Sequence, residues 1–197
     1  MNFLAHLILS GDQPDWIIGG FLGDFVKGSL KGNFPSKIED GIRLHRKIDR
    51  FTDFHPRIKR CQALFPADLR RFSGIIVDIS FDHFLAKHWR NFDERELSVF
   101  NQEMLRTLNH ESLALPANAR LFLDRMASHD ILLRYAKPEA IPLILKRTGQ
   151  RLSRPTPLIE SGDQFIKQYD QLELAFFEFF PELETFAREQ REILAQQ

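Results

Sequence analysis

The chain has 197 residues and a mass of 23.1 kDa, a size that suits one domain rather than several. It carries 27 basic and 27 acidic residues, so its formal net charge is zero, which excludes a strongly basic nucleic-acid-binding protein on bulk charge. Hydrophobic residues make up 43% of the chain and charged residues 27%, a balance typical of a soluble globular protein and not of a disordered one.

Cysteine content and apolar runs indicate the compartment. Cys61 is the single cysteine, so we expect no intramolecular disulfide and no cysteine-based zinc site. The apolar residues 3–9 lack a basic leader, and no apolar run reaches the roughly 18 residues that a membrane span needs. We therefore expect a cytoplasmic protein that binds neither nucleic acid nor a membrane; its oligomeric state is left open.

Apolar residues recur at helical spacing along the chain, and no alternating segment predicts a long strand. Ser36 followed by Glu39 predicts a capping box at the start of the third helix, and Pro181 predicts a break between the last two helices. We predict an all-α, single-domain helical bundle covering residues 1–197. The predicted helices cover residues 1–9, 14–26, 36–51, a segment from 56 that is interrupted at 66, then 73–89, 94–109, 117–134, 138–150, 158–180 and 182–195.

The third predicted helix places a histidine and an aspartate on its apolar face. On a helical wheel His45 and Asp49 lie one turn apart among Ile38, Ile42 and Ile48, while the basic residues of this helix occupy the opposite side. An inward carboxylate stays ionised only beside a cation or within dense hydrogen bonding, because burying it unpaired is costly.

The segment 73–89 repeats this pattern. It is apolar on most sides, yet it carries Asp78 and Asp82 one turn apart, with His83 at the edge of that face. His6 and Asp24 also lie in apolar helical segments. Each residue alone fits a structural role, such as a hydrogen-bonded core histidine or a carboxylate that faces an arginine.

Taken together, these imidazoles and carboxylates favour a divalent-metal site in the interior of a helical bundle. Such an ion polarises a phosphoryl oxygen and lowers the pKa of water, so the sequence predicts a metal-dependent hydrolytic site. If the substrate of such a site loses an alkoxide, as the family resemblance described below implies, a general acid is needed, for which His83 and His55 are the candidates.

Charge is unevenly distributed along the chain. Residues 27–71 contain twelve Lys or Arg and five acidic residues, a net charge of +7 for that segment. This segment is either a solvated helix face or a docking surface for an acidic partner or a phosphate-bearing ligand.

Several motifs resemble the acyl carrier protein phosphodiesterase family. They are Met1-Asn2-Phe3-Leu4-Ala5-His6-Leu7, the segment 20–28 with Gly23-Asp24-Phe25, the segment 41–49 with His45 and Asp49 followed by Thr52-Asp53, and Asp78 with Asp82-His83-Phe84-Leu85 and Trp89. The similarity runs in order over the first 90 residues and continues more weakly through residues 150–155 and 176–181.

The resemblance implies an all-helical fold related to the HD phosphohydrolases. It also implies a divalent-metal-dependent enzyme that hydrolyses the phosphodiester between 4′-phosphopantetheine and a serine of holo-acyl carrier protein. Manganese is the favoured ion, with Mg²⁺, Fe²⁺ or Co²⁺ as alternatives.

The family motifs coincide with the inward residues of the predicted helices. The implied metal-site residues are His6, Asp24, His45, Asp49, Asp78 and Asp82; the candidate catalytic residues are Asp82, His83 and His55; and Lys27, Arg43, Arg46, Lys47 and Arg50 are expected to dock the acidic carrier protein. Two positions depart from the family pattern, which commonly has a histidine where Ile8 stands and an asparagine where Gly20 stands.

Other functions remain open from the residues alone. The same scaffold fits a metal phosphohydrolase acting on nucleotides or small phosphate esters. A non-catalytic helical binding module with a structural polar interior is a second alternative, and an oligomeric scaffold that uses the Phe-rich C-terminal helices as an interface is a third.

Overall fold

A computed structural model describes residues 2–109 and 115–196. Within these ranges the regular elements are all helical, which confirms the predicted all-α fold. The helices are α1 (Phe3–Leu9), α2 (Pro14–Leu22), α3 (Ser36–Phe54), α4 (Pro56–Ala63), α5 (Ser73–Lys87), α6 (Leu97–Leu108), α7 (Ala117–His129), α8 (Ile131–Arg134), α9 (Ile141–Gln150), α10 (Gly162–Lys167) and α11 (Tyr169–Ala195). Short 3₁₀ turns cover Arg70–Phe72, Trp89–Asn91, Pro138–Ala140 and Pro157–Glu160.

Helix α5 lies at the centre of the hydrophobic core, as its apolar sequence predicts. It contacts α1, α4, α9 and α11, and the side chains of Phe81 and Phe84 are fully buried. Both phenylalanines lie against aromatic residues of α11, where the Phe81 ring meets the Phe176 ring edge-on with the centroids 5.6 Å apart. Within the described residues, no helix is both long and apolar enough to cross a membrane.

Helices α2 and α3 pack at an unusually short distance because glycines face each other across the contact. A Cβ atom built on Gly41 would lie 2.8 Å from Cα of Gly19 and 2.7 Å from the backbone oxygen of Trp16. Real Cβ atoms do not approach other atoms so closely, so neither helix tolerates a side chain at this point. The contact fixes the position of the candidate functional residues that follow on both helices.

The predicted capping box at Ser36 is wrong. Pro35 occupies the N-cap position, and Ser36 is already the first helical residue of α3. The Glu39 carboxylate instead accepts hydrogen bonds from the backbone N–H of Gly32 at 2.9 Å and from the guanidinium of Arg43 at 3.0 Å. The carboxylate therefore ties the preceding loop to α3 rather than closing a cap.

The predicted helix breaks in the second half of the chain are also partly wrong. Helix α11 is 27 residues long and continues through Pro181 without a break. An interior proline costs about 3 kcal/mol, and the buried side chains of Phe179, Phe180 and Leu183 on either side of it offset that cost. The predicted helix 117–134 is interrupted at Asp130, which adopts a left-handed backbone conformation, and the predicted helix 158–180 is divided into a 3₁₀ turn, α10 and the start of α11.

We predict that Gly41→Ala destabilises the protein by about 1–3 kcal/mol, because the added methyl group forces α2 and α3 apart. Chemical denaturation followed by circular dichroism measures the free energy of unfolding. Gly74→Ala is the matched control, since it lies in α5 and its Cβ would meet one side-chain atom, at 3.5 Å. We expect this control to be neutral or to stabilise by up to about 1 kcal/mol, and equal losses in both variants would contradict the close-contact explanation.

Candidate metal centre

Two histidines from different helices meet at one carboxylate. Nε2 of His6, on α1, lies 3.0 Å from Oδ1 of Asp49, and Nε2 of His45 lies 3.2 Å from Oδ2 of the same residue. The two imidazole rings stack with their centroids 3.6 Å apart and their planes 13° apart. One ligand atom from each of these three residues lies within 4.8 Å of the others. This is the mixed imidazole and carboxylate set that the sequence predicted for a divalent ion.

The hydrogen bond to Gly20 fixes the tautomer of His45. Nδ1 of His45 lies 2.7 Å from the Gly20 carbonyl oxygen, which only accepts, so Nδ1 carries the proton and donates it. In the neutral ring the lone pair of Nε2 then faces Asp49 and also Oδ1 of Asp24, at 3.8 Å. A lone pair facing two carboxylates is favourable only with a proton or a cation between them. A backbone carbonyl that orients an imidazole in this way is the usual support of a metal-ligating histidine.

His6 is held in its neutral form. Burial, with a further contribution from nearby His45, lowers the pKa of His6 to about 3. Its Nδ1 atom is buried and has no hydrogen-bond partner among the described residues, so its polar contact is on the Nε2 side, toward Asp49. A neutral imidazole is the form that ligates a metal ion.

The carboxylates around the histidines have shifted pKa values. For Asp49, burial opposes ionisation, but the hydrogen bonds with His45 and His6 outweigh it and lower the pKa well below its ordinary range. Burial raises the pKa of Asp24 and of Asp78. Asp24 and Asp78 both line one cavity of about 600 Å³. A cation there would offset the unfavourable concentration of negative charge, so this donor set fits a divalent ion.

The glycine just after α2 shapes the centre directly. A Cβ atom on Gly23 would overlap the imidazole ring of His45, so the absence of a side chain there leaves the space that the ring occupies. Asp24 follows immediately, at the end of α2, which brings its carboxylate to the same ring.

Asp82 has a structural role that the sequence analysis did not predict. Its carboxylate is fully buried and accepts hydrogen bonds from the backbone N–H groups of Leu4, at 2.8 Å, and Ala5, at 3.1 Å. These are the unsatisfied donors at the start of α1, so Asp82 anchors the helix that carries His6. Its predicted roles as a metal ligand and catalytic residue stay predictions that no described contact supports.

His83 and His55 also have partners outside the cluster. Nδ1 of His83 lies 2.6 Å from the backbone oxygen of Tyr135, and its Nε2 lies 2.8 Å from the hydroxyl of Tyr169. His55 accepts a hydrogen bond from the N–H of Arg57 at the start of α4. Their predicted role as the general acid therefore stays a prediction.

The structure brings four of the predicted site residues together and places Asp78 in the adjoining cavity. The four are His6, Asp24, His45 and Asp49.

The basic residues expected to dock a partner are mostly engaged within the protein. Arg43 forms ion pairs with two acidic residues of α3, Arg46 donates to a backbone carbonyl beyond α2, and Lys47 donates to a glutamine side chain of α11. The guanidinium of Arg50 lies over the ring of a neighbouring phenylalanine, and Lys27 is exposed.

The two departures from the family pattern lie in different surroundings. Ile8 is partly buried and lines a second cavity with residues such as Asp12 and Arg188, a cavity that shares no residue with the one next to Asp24. Gly20 contributes its carbonyl to His45, and a side chain there would overlap Ser10.

Sequence reasoning missed two features of this centre. One is the Gly20 carbonyl, which no side-chain pattern reveals. The other is a group of arginines on α7, α8 and α9 that line the cavity next to Asp24; the sequence gives no signal for them, because it does not show which basic residues form ion pairs.

The fold and the cluster define an all-α protein with a mixed imidazole and carboxylate centre of the kind that helical bundles use for metal ions. The family model for acyl carrier protein phosphodiesterase matches residues 1–183. The chain therefore belongs to the acyl carrier protein phosphodiesterase family, which confirms the resemblance of its motifs.

Individual relatives agree with the family model. Proteins named acyl carrier protein phosphodiesterase from Serratia proteamaculans and Pectobacterium atrosepticum are each 32% identical over 97% of this chain and 100% of their own length. The protein of the same name from Escherichia coli strain CFT073 is 32% identical over 93% of this chain and 95% of its own. No solved structure matches, so the relation to the HD phosphohydrolases stays a prediction.

We predict that Asp82→Ala lowers the free energy of unfolding by about 2–4 kcal/mol, because two buried N–H groups of α1 lose their acceptor. Asp82→Asn keeps the volume and one acceptor oxygen, and we expect a smaller loss of about 1–2 kcal/mol. Urea denaturation at fixed pH measures both. An unchanged stability in Asp82→Ala would show that the carboxylate does not anchor α1.

The same position predicts a pH dependence. Burial, opposed by the two backbone hydrogen bonds, raises the pKa of Asp82 from 3.8 to about 7. The folded protein therefore holds this proton more tightly than the unfolded chain does, and the stability gained from it is complete below the unfolded pKa and lost as the pH rises through the folded one. We expect the wild type to lose stability relative to Asp82→Asn as the pH rises from 4 to 8. Denaturation of both proteins at each pH measures this difference in unfolding free energy. A difference that is independent of pH would contradict the raised pKa.

Proposed function

We propose that this protein is a metal-dependent phosphodiester hydrolase that releases 4′-phosphopantetheine from the serine of holo-acyl carrier protein. Family membership supports the substrate, since the relatives carry that name. The observation that carries the chemistry is the fixed tautomer of His45, whose Nε2 faces the carboxylates of Asp49 and Asp24 beside His6.

His6, His45 and Asp49, with Asp24 beside them, would hold the ion. Manganese is the ion we favour, and Mg²⁺, Fe²⁺ and Co²⁺ suit the same nitrogen and oxygen donors. When bound, a divalent ion supplies charge stabilisation to the phosphoryl oxygens and lowers the pKa of water near phosphorus.

Residues of the chain orient the side chains of this centre, and they hold or donate protons. The Gly20 carbonyl keeps the proton of His45 on Nδ1, and Asp82 anchors the helix that positions His6. The departing seryl oxygen needs a proton, and Asp78 lines the cavity with a pKa raised by burial, so it retains a proton more readily than an ordinary carboxyl group. This makes Asp78 a further candidate for the general acid beside His83 and His55.

The predicted docking surface on α3 remains part of this proposal. Lys27, which precedes α3, and Arg50, on α3, are exposed and form no ion pair within the described residues, so they are the members of that set with the greatest freedom to meet an acidic carrier protein.

We predict that His45→Gln lowers kcat/KM for holo-acyl carrier protein by about 100-fold or more, because the ring that faces both carboxylates is lost. The assay is mass spectrometry of the carrier protein, which follows the loss of the prosthetic group with Mn²⁺ and after chelation. Titration calorimetry of Mn²⁺ should show weaker binding to the variant.

His88→Gln is the matched control, since the His88 side chain bonds to Glu173 of α11, away from the cluster. We expect it to keep Mn²⁺ binding and activity close to those of the wild type. Activity that persists in full after chelation would contradict the metal requirement, and hydrolysis of nucleotides with none of holo-carrier protein would contradict the substrate.

A further inference from the structure

Four arginines surround the cavity that opens beside the candidate metal centre. Arg125 lies on α7, Arg134 on α8, Arg147 on α9 and Arg151 just beyond it, and all four are exposed at the lining of the cavity that also contains Asp24. We call these four residues the arginine rim.

The described residues do not neutralise the arginine rim. None of its four guanidinium groups forms an ion pair with any residue in the ranges 2–109 and 115–196, and the one hydrogen bond from the set runs from Arg151 to the hydroxyl of Thr148 at 3.2 Å. Some arginines elsewhere, such as Arg43 and Arg95, do pair with carboxylates. Apart from Asp24 and Asp78, the described lining of the cavity contains no acidic residue.

The cavity therefore combines two carboxyl groups with four exposed arginines. The carboxylate of Asp24 lies 3.8 Å from His45 of the candidate metal centre, and Asp78 lines the same cavity. Apolar side chains, among them Phe122 and Ile144, also line it. A phosphodiester that belongs to a protein can reach this cavity only if the rest of that protein lies over it, where it meets the exposed arginines.

We infer that the arginine rim is the docking surface for the acidic face of the protein that carries the phosphodiester. This inference rests on the proposed function for the identity of that protein, and it places the main contact on α7, α8 and α9 rather than on α3. Unpaired positive charge at the mouth of a site attracts an acidic partner and orients it before the chemical step.

The test compares three double charge reversals. Arg147→Glu with Arg151→Glu changes the rim. Lys146→Glu with Arg154→Glu makes the same change of charge at neighbouring exposed positions that do not line the cavity. The third pair, Lys27→Glu with Arg50→Glu, changes the surface that the sequence predicted.

We expect the rim variant to raise KM for holo-acyl carrier protein by about tenfold or more at low ionic strength, with a smaller effect at high ionic strength because salt screens the contact. The neighbouring pair should raise KM much less. Equal effects of the two pairs, or a large effect confined to the Lys27 and Arg50 pair, would overturn the inference.

Two further measurements separate this inference from the proposed function. Fluorescence anisotropy of labelled apo-carrier protein, which has no phosphodiester, should show binding that the rim variant weakens. Binding that depends on the rim, without hydrolysis by the wild type, would contradict the proposed function and support the docking surface. Hydrolysis by the wild type, with binding that does not depend on the rim, would support the proposed function and overturn the docking surface.

The second measurement uses bis(4-nitrophenyl) phosphate, a diester without a protein. An equal loss of activity of the rim variant with this substrate would also overturn the inference, because the arginines would then hold the phosphate itself.

Discussion

The close contact of α2 and α3 is the constraint on which the candidate centre depends. Gly19 and Gly41 allow the two backbones to meet without intervening side chains. That approach brings the Gly20 carbonyl to His45 and places Asp24 beside the same ring. The packing of α2 against α3 thus sets the orientation of the His45 ring. A displacement of a few tenths of an ångström between these helices would misorient the imidazole.

Helix α1 contributes His6 under a different constraint. It is seven residues long, and a helix of that length is not stable by itself in water. The buried carboxylate of Asp82 holds its first N–H groups, and Asn2, just before it, donates to the hydroxyl of Tyr135 at 2.7 Å. The Asp82 carboxylate therefore positions the backbone of α1, a role that burial and residue type alone do not reveal.

The sequence predicted the inward face of α3 and the meeting of His45 with Asp49, because helical periodicity reports which residues share a face. It also named His6 and Asp24 through the motifs of the family. Periodicity does not report what a buried group contacts, so the anchoring role of Asp82 and the carbonyl of Gly20 were out of reach. The close contact of α2 and α3 was also out of reach, because the glycines that allow it leave no side-chain pattern. The arginine rim was hidden because a net charge of zero averages paired and unpaired residues.

Helix α1 is also tied at its other end by the C-terminal part of the chain. The guanidinium of Arg191, on α11, donates a hydrogen bond to the backbone oxygen of Leu9, the last residue of α1. The contacts that hold α1 at its two ends thus come from Asp82 and Arg191, which are far from it in the sequence. A pair so distant in sequence raises the contact order of the fold, so we expect formation of the His6 side of the centre to be a slow, long-range step in folding.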